Sequence, residues 1–454
     1  MSENFHAAYT TQPRRLPPAG RSALKAGVVG NWVDNLHVFL PALALIPALP
    51  TLAGPGAQLG SGAMVVVAML LGRPVGGLVF GRLSDRLGRT ATTLWAIAGT
   101  AMCTGLIAIM PGYEVLGIWT MIFILVLRFI GGVFVAGEYS AAIPLAMEWS
   151  PNHRRSTASG GILSMAPWAQ ASVAFGTAGL LALLGTEAYA QWGWRILFGA
   201  AALASAAMFV YYWRHVADQQ VPKKATAEPL SALLTGAYAQ RFWAAFIMMT
   251  GLWLLTQVTV LILPSQLIGA GVLEDHAAIV MGIASVFQAV AMVVAGACAD
   301  VLGRRRLLVI WGVIALVCGP LLYSAIISGP GTAFMFMLAA GLQITTVAAY
   351  GPVAAYLSEL FPASLRSAGY GSTYSFSLVL PSLYPFYLPA AQQLLGDQPA
   401  IIGMLILGAL LLISGAMLGP KLHAVTVRAP LEHVATDSVQ ASRTNLLETT
   451  VRSQ

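Results

Sequence analysis

The sequence is short of charge. Asp, Glu, Lys and Arg make up 9% of its 454 residues, against 57% hydrophobic residues, and the mean hydropathy is +0.75. Soluble domains carry about 25% charged residues, so a water-soluble globular protein is excluded. Cysteine is scarcer still. Cys103, Cys298 and Cys318 lie inside apolar runs, with neither the spacing of a disulfide framework nor that of a metal site, and they read as small packing residues. No G-x-x-x-x-G-K-[ST] loop, H-E-x-x-H, C-x-x-C or G-x-S-x-G occurs, which sets aside ATP-driven and enzymatic readings. No cofactor or metal is expected. Alternating strands of about 10 residues, the mark of an outer-membrane barrel, are missing too.

What remains is long and apolar. Twelve runs approach the roughly 20 residues a helix needs to cross a bilayer, starting near Ala26, Gly60, Ala91, Val115, Ala158, Trp192, Phe242, His276, Leu307, Gly331, Ser367 and Ala400. Helices are the spanning element left, so the chain reads as an all-α membrane protein of twelve transmembrane helices. The N-terminal residues lack the apolar core of a signal peptide and are expected to form an uncleaved tail.

Loops beside membrane spans keep Lys and Arg on the cytoplasmic side. With the N-terminus inside, Arg82, Arg86, Arg89, Arg154, Arg155, Arg214, Lys223, Lys224, Arg241, Arg304, Arg305, Arg306, Arg366 and Lys421 all fall inside. The opposite loops carry Glu114, Glu187, Glu274, Asp275 and Asp397, with Arg195 as the lone basic residue. The expected location is the inner membrane with both termini cytoplasmic. The net charge of +7 is then a topology signal. No basic patch on a soluble face suggests a nucleic-acid partner.

The charge that exists is repeated. GRLSDRLGRT, from Gly81, closes the second run, and GACADVLGRRR, from Gly296, closes the eighth, sharing G-x-x-x-D-x-x-G-R. EWSPNHRRS from Glu148 and ELFPASLRS from Glu359 share E-x-x-P-x-x-x-R-S after the fourth and tenth runs. Two six-helix halves follow, with expected boundaries of 1–23 for the N-terminal tail, 24–214 for the first bundle, 215–240 for a central loop, 241–420 for the second bundle and 421–454 for a polar tail.

With these motifs on the page, the chain resembles the major facilitator superfamily over about residues 24 to 420. GRPVGGLVFGRLSDRLGR, RFIGGVFVAGEYSAAIPLAMEWSPNHRRS, WGWRILF and YLSELFPASLRSAGYG are more narrowly similar to the metabolite:proton symporter family. The resemblance implies two pseudo-symmetric bundles that rock about a central site. It also implies a cytoplasmic gate built from Gly81, Asp85, Arg86, Gly88, Arg89, Glu148 and Arg155 in one half and Asp300, Gly303, Arg304, Glu359 and Arg366 in the other. Symporters of that family show G-N-x-x-E-W-x-D in the first helix where this chain reads G-N-W-V-D-N-L-H, keeping the first acid as Asp34 and placing His37 at the second.

Ionisable residues inside spans ask for a partner or a function, because charge in the bilayer core costs at least ~2.5 kcal/mol. Asp34 and His37 lie one turn apart in the first run; Arg73 sits in the second, 12 residues before Asp85 and roughly 18 Å deeper; Arg128 and Glu138 share the fourth. The second half offers Gln257, Gln288, Gln343, Tyr350, Tyr374 and Tyr384 instead. Two arginines favour an anion, since guanidinium grips carboxylate through paired hydrogen bonds. Asp34 is the leading proton carrier, with Glu138 and His37 behind it. Alternatively, Asp34 with Arg128, or Glu138 with Arg73, are neutralising pairs that only let helices pack, and His37 is a hydrogen-bonded packing residue.

The expectation is a proton-coupled symporter of a small carboxylate, with Arg73, Arg128, Gln257, Gln343, Tyr350, Tyr374 and Tyr384 on the solute and Asp34, His37 and Glu138 on the proton. Its partners are a small molecule, protons and the lipid bilayer, and a single chain is expected to suffice. A symporter of a zwitterionic compatible solute is the nearest alternative, ahead of a drug exporter or a non-transporting solute receptor.

Overall fold

A computed structural model describes residues 18–54, 59–216, 231–329 and 331–420. The outer parts of both expected tails and residues 217–230 of the expected central loop lie outside these. Within the described part, the first helix begins at Pro18, inside the expected tail, where proline suits a first turn whose N–H would be unpaired in any case. Residues Ser231–Leu234 of the expected loop form one short helix.

All regular structure among the described residues is helical. The first half comprises α1 (Pro18–Leu43), α2 (Leu59–Leu87), α3 (Arg89–Ala108), α4 (Ile118–Trp149), α5 (Arg155–Leu163 continued by Met165–Ala188) and α6 (Trp194–His215). The second comprises α7 (Ala239–Gly269), α8 (Glu274–Leu302), α9 (Arg304–Ile327), α10 (Thr332–Val347 and Val353–Leu360), α11 (Arg366–Phe376, Val379–Ser382 and Tyr384–Leu395) and α12 (Asp397–Leu418).

Nine described segments are long and apolar enough to span a bilayer, and the bent α1 region adds a tenth. One of the nine runs unbroken from Asn152 to His215 over 64 residues, about 96 Å of helix and three times the hydrocarbon thickness. It contains two spans. Gly185, at φ 75°, and the π turn Tyr189–Gly193 reverse it between α5 and α6. The remaining span, α11, is cut by Pro381 and Pro385 and rich in Ser and Tyr, which breaks up its apolar signal.

The halves are built alike and meet alike. α2 packs on α11 and α8 packs on α5, the same pair seen twice under the repeat. Glycine sets the close approach. A Cβ on Gly81 of α2 would lie 3.1 Å from the Cα of Ala368 in α11, and one on Gly296 of α8 would collide with the carbonyl of Ser156 in α5. Backbones this near gain the packing that holds helices together in lipid. The second glycine of each motif has another task. Gly88 and Gly303 turn the chain between spans at φ 101° and 88°, a left-handed conformation that costs residues with a Cβ about 1–2 kcal/mol.

Three interrupted spans face the interface between the halves. α7 passes through a π segment at Gln257–Ile262, α10 through a 3-10 turn at Ala348–Tyr350 followed by Gly351 and Pro352, and α11 through its prolines. Such breaks free backbone groups from the i to i−4 ladder and turn side chains off the regular helical face.

Candidate functional site

A cavity of about 70 Å³ sits where the breaks converge. The first half supplies Asn35 and Phe39 from α1, Arg73 from α2, Tyr139 from α4 and Gln170 from α5; the second supplies Trp253, Thr256 and Gln257 from α7, Gln288 from α8, Tyr350 from α10 and Tyr374 from α11. Arg73 is the one charged lining residue. Its Nε and Nη2 are buried without a hydrogen-bond acceptor among the described residues, and its guanidinium lies 5.2 Å from the centre of the Tyr139 ring. An orphaned buried donor on a cation is costly, and a carboxylate in the cavity would satisfy it with two parallel bonds.

The rest of the lining is aromatic and carboxamide. Tyr139 stacks on Tyr374 at 5.1 Å, and Trp253 meets Tyr350 and Tyr374 edge-on at 5.6 and 5.1 Å. The Trp253 indole N–H donates to the Tyr374 carbonyl at 3.1 Å, fixing the ring across α7 and α11. Asn35 Nδ2 holds the Tyr139 hydroxyl at 2.6 Å. Both amide atoms of Gln170, and the Oε1 atoms of Gln257 and Gln288, are buried without a partner among the described residues.

Behind Arg73, within the first bundle, Asp34 and Glu138 are buried next to one another, with Oδ1 of the one and Oε1 of the other unpartnered among the described residues, and Arg73 is within electrostatic reach of Asp34. Two neighbouring buried carboxyl groups disfavour double ionisation, which favours a proton on one of them. Gly30 makes the space for the pair: a Cβ there would lie 2.6 Å from Glu138 Oε1.

Arg128 and His37 stand apart from this pair. Arg128 Nη1 donates to the His37 carbonyl at 2.8 Å, and the guanidinium lies 4.9 Å from the centre of the Phe198 ring. It does not line the cavity, so the two arginines expected to share a site are separated. Ten residues along α4 rotate a side chain by roughly 80° and move it ~15 Å, which parts Arg128 from Glu138. His37 sits between Ser205 Oγ at 2.7 Å and Thr104 Oγ1 at 2.9 Å, with both ring nitrogens occupied. Gln257, Tyr350 and Tyr374 line the cavity as expected; Gln343 and Tyr384 do not.

At the end of the molecule carrying the repeated loops, two acids each hold two arginines. Glu148 pairs with Arg89 and Arg366, while Glu359 pairs with Arg304 and, at 3.1 Å, with Arg155. Each glutamate therefore joins the two halves. The two clusters adjoin, sharing a small void with Met147 and Ser358. Asp300 closes the α8–α5 contact by accepting from the Ser156 and Thr157 backbone N–H groups at 2.8 and 2.9 Å and from the Thr157 hydroxyl at 2.6 Å. This is a carboxylate at the positive end of a helix, supplied from the opposite half. The side chain of Asp85, its counterpart, lies outside the described residues. Arg86 is exposed and is not part of either ion-pair cluster.

A family model described as Major Facilitator Superfamily matches residues 36–385. The chain belongs to that superfamily. Among its relatives is the inner membrane metabolite transport protein YhjE of Escherichia coli (strain K12), 28% identical over 82% of this chain and 87% of that protein. The glycine betaine/proline/ectoine/pipecolic acid transporter OusA of Dickeya dadantii (strain 3937) is 29% identical over 80% and 76%, and the alpha-ketoglutarate permease of Escherichia coli (strain K12) 28% identical over 75% and 76%. In fold the chain is similar to the proton:xylose symporter XylE bound to 6-bromo-6-deoxy-D-glucose, with a TM-score of 0.71 and 16% identity over 88% and 94% of the two chains. The protein is thus a multi-pass membrane transporter and not an enzyme.

Set in this major facilitator frame, six of the cavity residues named above escaped sequence reasoning: Asn35, Phe39, Tyr139, Gln170, Trp253 and Thr256. Attention to charge in the first half passed over its amides. A carboxamide inside the apolar stretch PWAQASVAFG is a signal of the same kind as the glutamines noted in the second half.

Proposed function

We propose that the protein is a proton-coupled symporter of a small carboxylate, working by alternating access across the cytoplasmic membrane with its repeated loops inside. The observation that carries this reading is Arg73, a buried guanidinium with unpartnered N–H groups lining a cavity between the halves and within reach of a carboxyl pair. A solute carboxylate on Arg73 competes with Asp34 for the same cation, so that loading of solute and loading of a proton favour each other. Asp34 and Glu138 hold the proton, with His37 and Arg128 bracing α1 against α4 and α6. The glutamate–arginine clusters act as the cytoplasmic latch, a bistable element of the kind that switching requires.

The test is internal pH in proteoliposomes loaded with a pH-sensitive dye, under an outside-acid gradient, with mono-, di- and aromatic carboxylates, betaines and sugars added in turn. Faster acidification with a carboxylate supports the reading. Solute uptake unaccompanied by acidification would sink the proton coupling.

A zwitterionic solute is the second reading. Trp253, Tyr350 and Tyr374, which line the cavity together with Arg73, offer ring faces to a quaternary ammonium, and relatives named as betaine transporters accord with it. In the same assay it predicts a response to betaines above that to simple carboxylates.

A further inference from the structure

A second, larger cavity of about 710 Å³ lies at the end bearing the repeated loops, away from the solute cavity. The α8–α9 turn, the start of α9, the end of α12 and residues Asn152 and His153 of the other half enclose it. Its volume is within the range of about 300–1,000 Å³ usual for small-molecule sites.

Three consecutive arginines line it, and they are not equivalent. Arg304 is committed to Glu359 and to Ser156 Oγ at 2.9 Å. Arg305 gives one N–H to the Met417 carbonyl. Arg306 is exposed and has no hydrogen bond or ion pair among the described residues. The acid in the lining, Asp300, is spent on the start of α5. Nor does the latch call for Arg305 and Arg306, because the first copy of the motif reads Gly88-Arg89-Thr90-Ala91 and contributes one arginine, Arg89, to the Glu148 cluster.

Below the arginines the wall turns apolar. Val309 and Ile310 follow Arg305 and Arg306 by four residues each, hence on the same faces of α9. Both line the cavity with Met417, and Ile310 and Met417 are 48% and 57% exposed. A cationic rim above exposed aliphatic side chains, at the end of a membrane-spanning helix, matches a molecule with an anionic head and apolar tails.

We propose that this cavity binds an anionic phospholipid, with Arg305 and Arg306 on the headgroup phosphate and the acyl chains along Val309 and Ile310. Arginine presents a fork that fits phosphate in two parallel hydrogen bonds, and basic clusters at membrane surfaces bind anionic headgroups. A soluble phosphate would satisfy the arginines and leave the aliphatic wall uncovered. Because His153 belongs to the first half, a headgroup here touches both halves.

The experiment compares the full chain in vesicles of phosphatidylcholine alone with vesicles that also contain phosphatidylglycerol, reading retained lipid by native mass spectrometry and thermal stability after extraction. Phosphatidylglycerol should be retained selectively and raise the melting temperature. R306Q, which removes none of the described hydrogen bonds, should cut retention by about fivefold and R305Q/R306Q further, with R306K, which keeps the charge without the fork, falling between R306Q and the native chain. Equal retention of the two lipids, or undiminished retention by R305Q/R306Q, would overturn the proposal. The same stabilisation by inorganic phosphate in pure phosphatidylcholine would overturn it in favour of a soluble anion.

Discussion

Glu148 holds two arginines from opposite halves of the protein: one carboxylate oxygen pairs with Arg89 at the start of α3 and the other accepts from Arg366 at the start of α11. Glu359 repeats the arrangement from the second half with Arg304 and Arg155. Removing one partner of a buried ion pair strands the other charges, at a cost that reaches about 3–5 kcal/mol in full burial.

Glu148→Gln and Glu359→Gln should each shift the halves toward opening at this end. The readout is labelling of a cysteine placed at Ser358, beside both clusters, in a chain whose three native cysteines are alanine. A thiol reagent applied from that side should react several-fold faster in either variant. Unchanged labelling in both would mean that the pairs do not keep this end shut.

Arg73→Gln should raise the solute concentration for half-maximal uptake about ten- to hundredfold, the worth of roughly 1.5–3 kcal/mol for a hydrogen bond to a charged group. Arg73→Lys retains the charge without the planar fork and should fall between. Saturation curves on the solute identified by the pH assay measure both, and identical curves for R73Q and the native chain would remove Arg73 from the solute site.

Asp34→Asn should abolish accumulation driven by a proton gradient while leaving exchange of labelled for unlabelled solute in place, because the neutral amide carries no exchangeable charge. Glu138→Gln is expected to do the same if the two carboxyls share the proton. Retention of gradient-driven accumulation in the Asp34 variant is the outcome that rejects its role.

Gly30→Ala tests the carboxyl pair without touching either acid. Its methyl would press on Glu138 Oε1 and push the carboxyl from Asp34, so coupled uptake should fall while solute exchange survives. Ala at Gly303, by contrast, meets nothing within 4 Å. Its cost is purely the left-handed turn, about 1–2 kcal/mol, and should register as a lower melting temperature in detergent.

The fold was legible in the sequence because both of its signals are local. Span length follows from bilayer thickness, and each G-x-x-x-D-x-x-G-R loop encodes its own geometry: one glycine for helix approach, a second for the turn. The site was legible only in part. Burial of charge in α1, α2 and α4 marked the relevant helices, and Arg73, Gln257, Tyr350 and Tyr374 do face one cavity. Which arginine turns inward depends on how α4 is rotated against α1 and α6, a tertiary property that spacing does not express. Arg128 therefore looked equivalent to Arg73, although it lies away from the cavity against the His37 carbonyl and the Phe198 ring, with its own Nε and Nη2 unpartnered among the described residues. The start of α1 was hardest to place: its apolar run begins near Ala26, while the helix begins at Pro18 in the polar stretch before it.

The two acid-centred clusters are crossed. Each glutamate holds one arginine of its own half and one of the other. Parting the halves would therefore take one partner from each acid and leave the second in place. An opened latch of this kind strands no carboxylate bare, and each acid stays positioned to recapture the arginine it released.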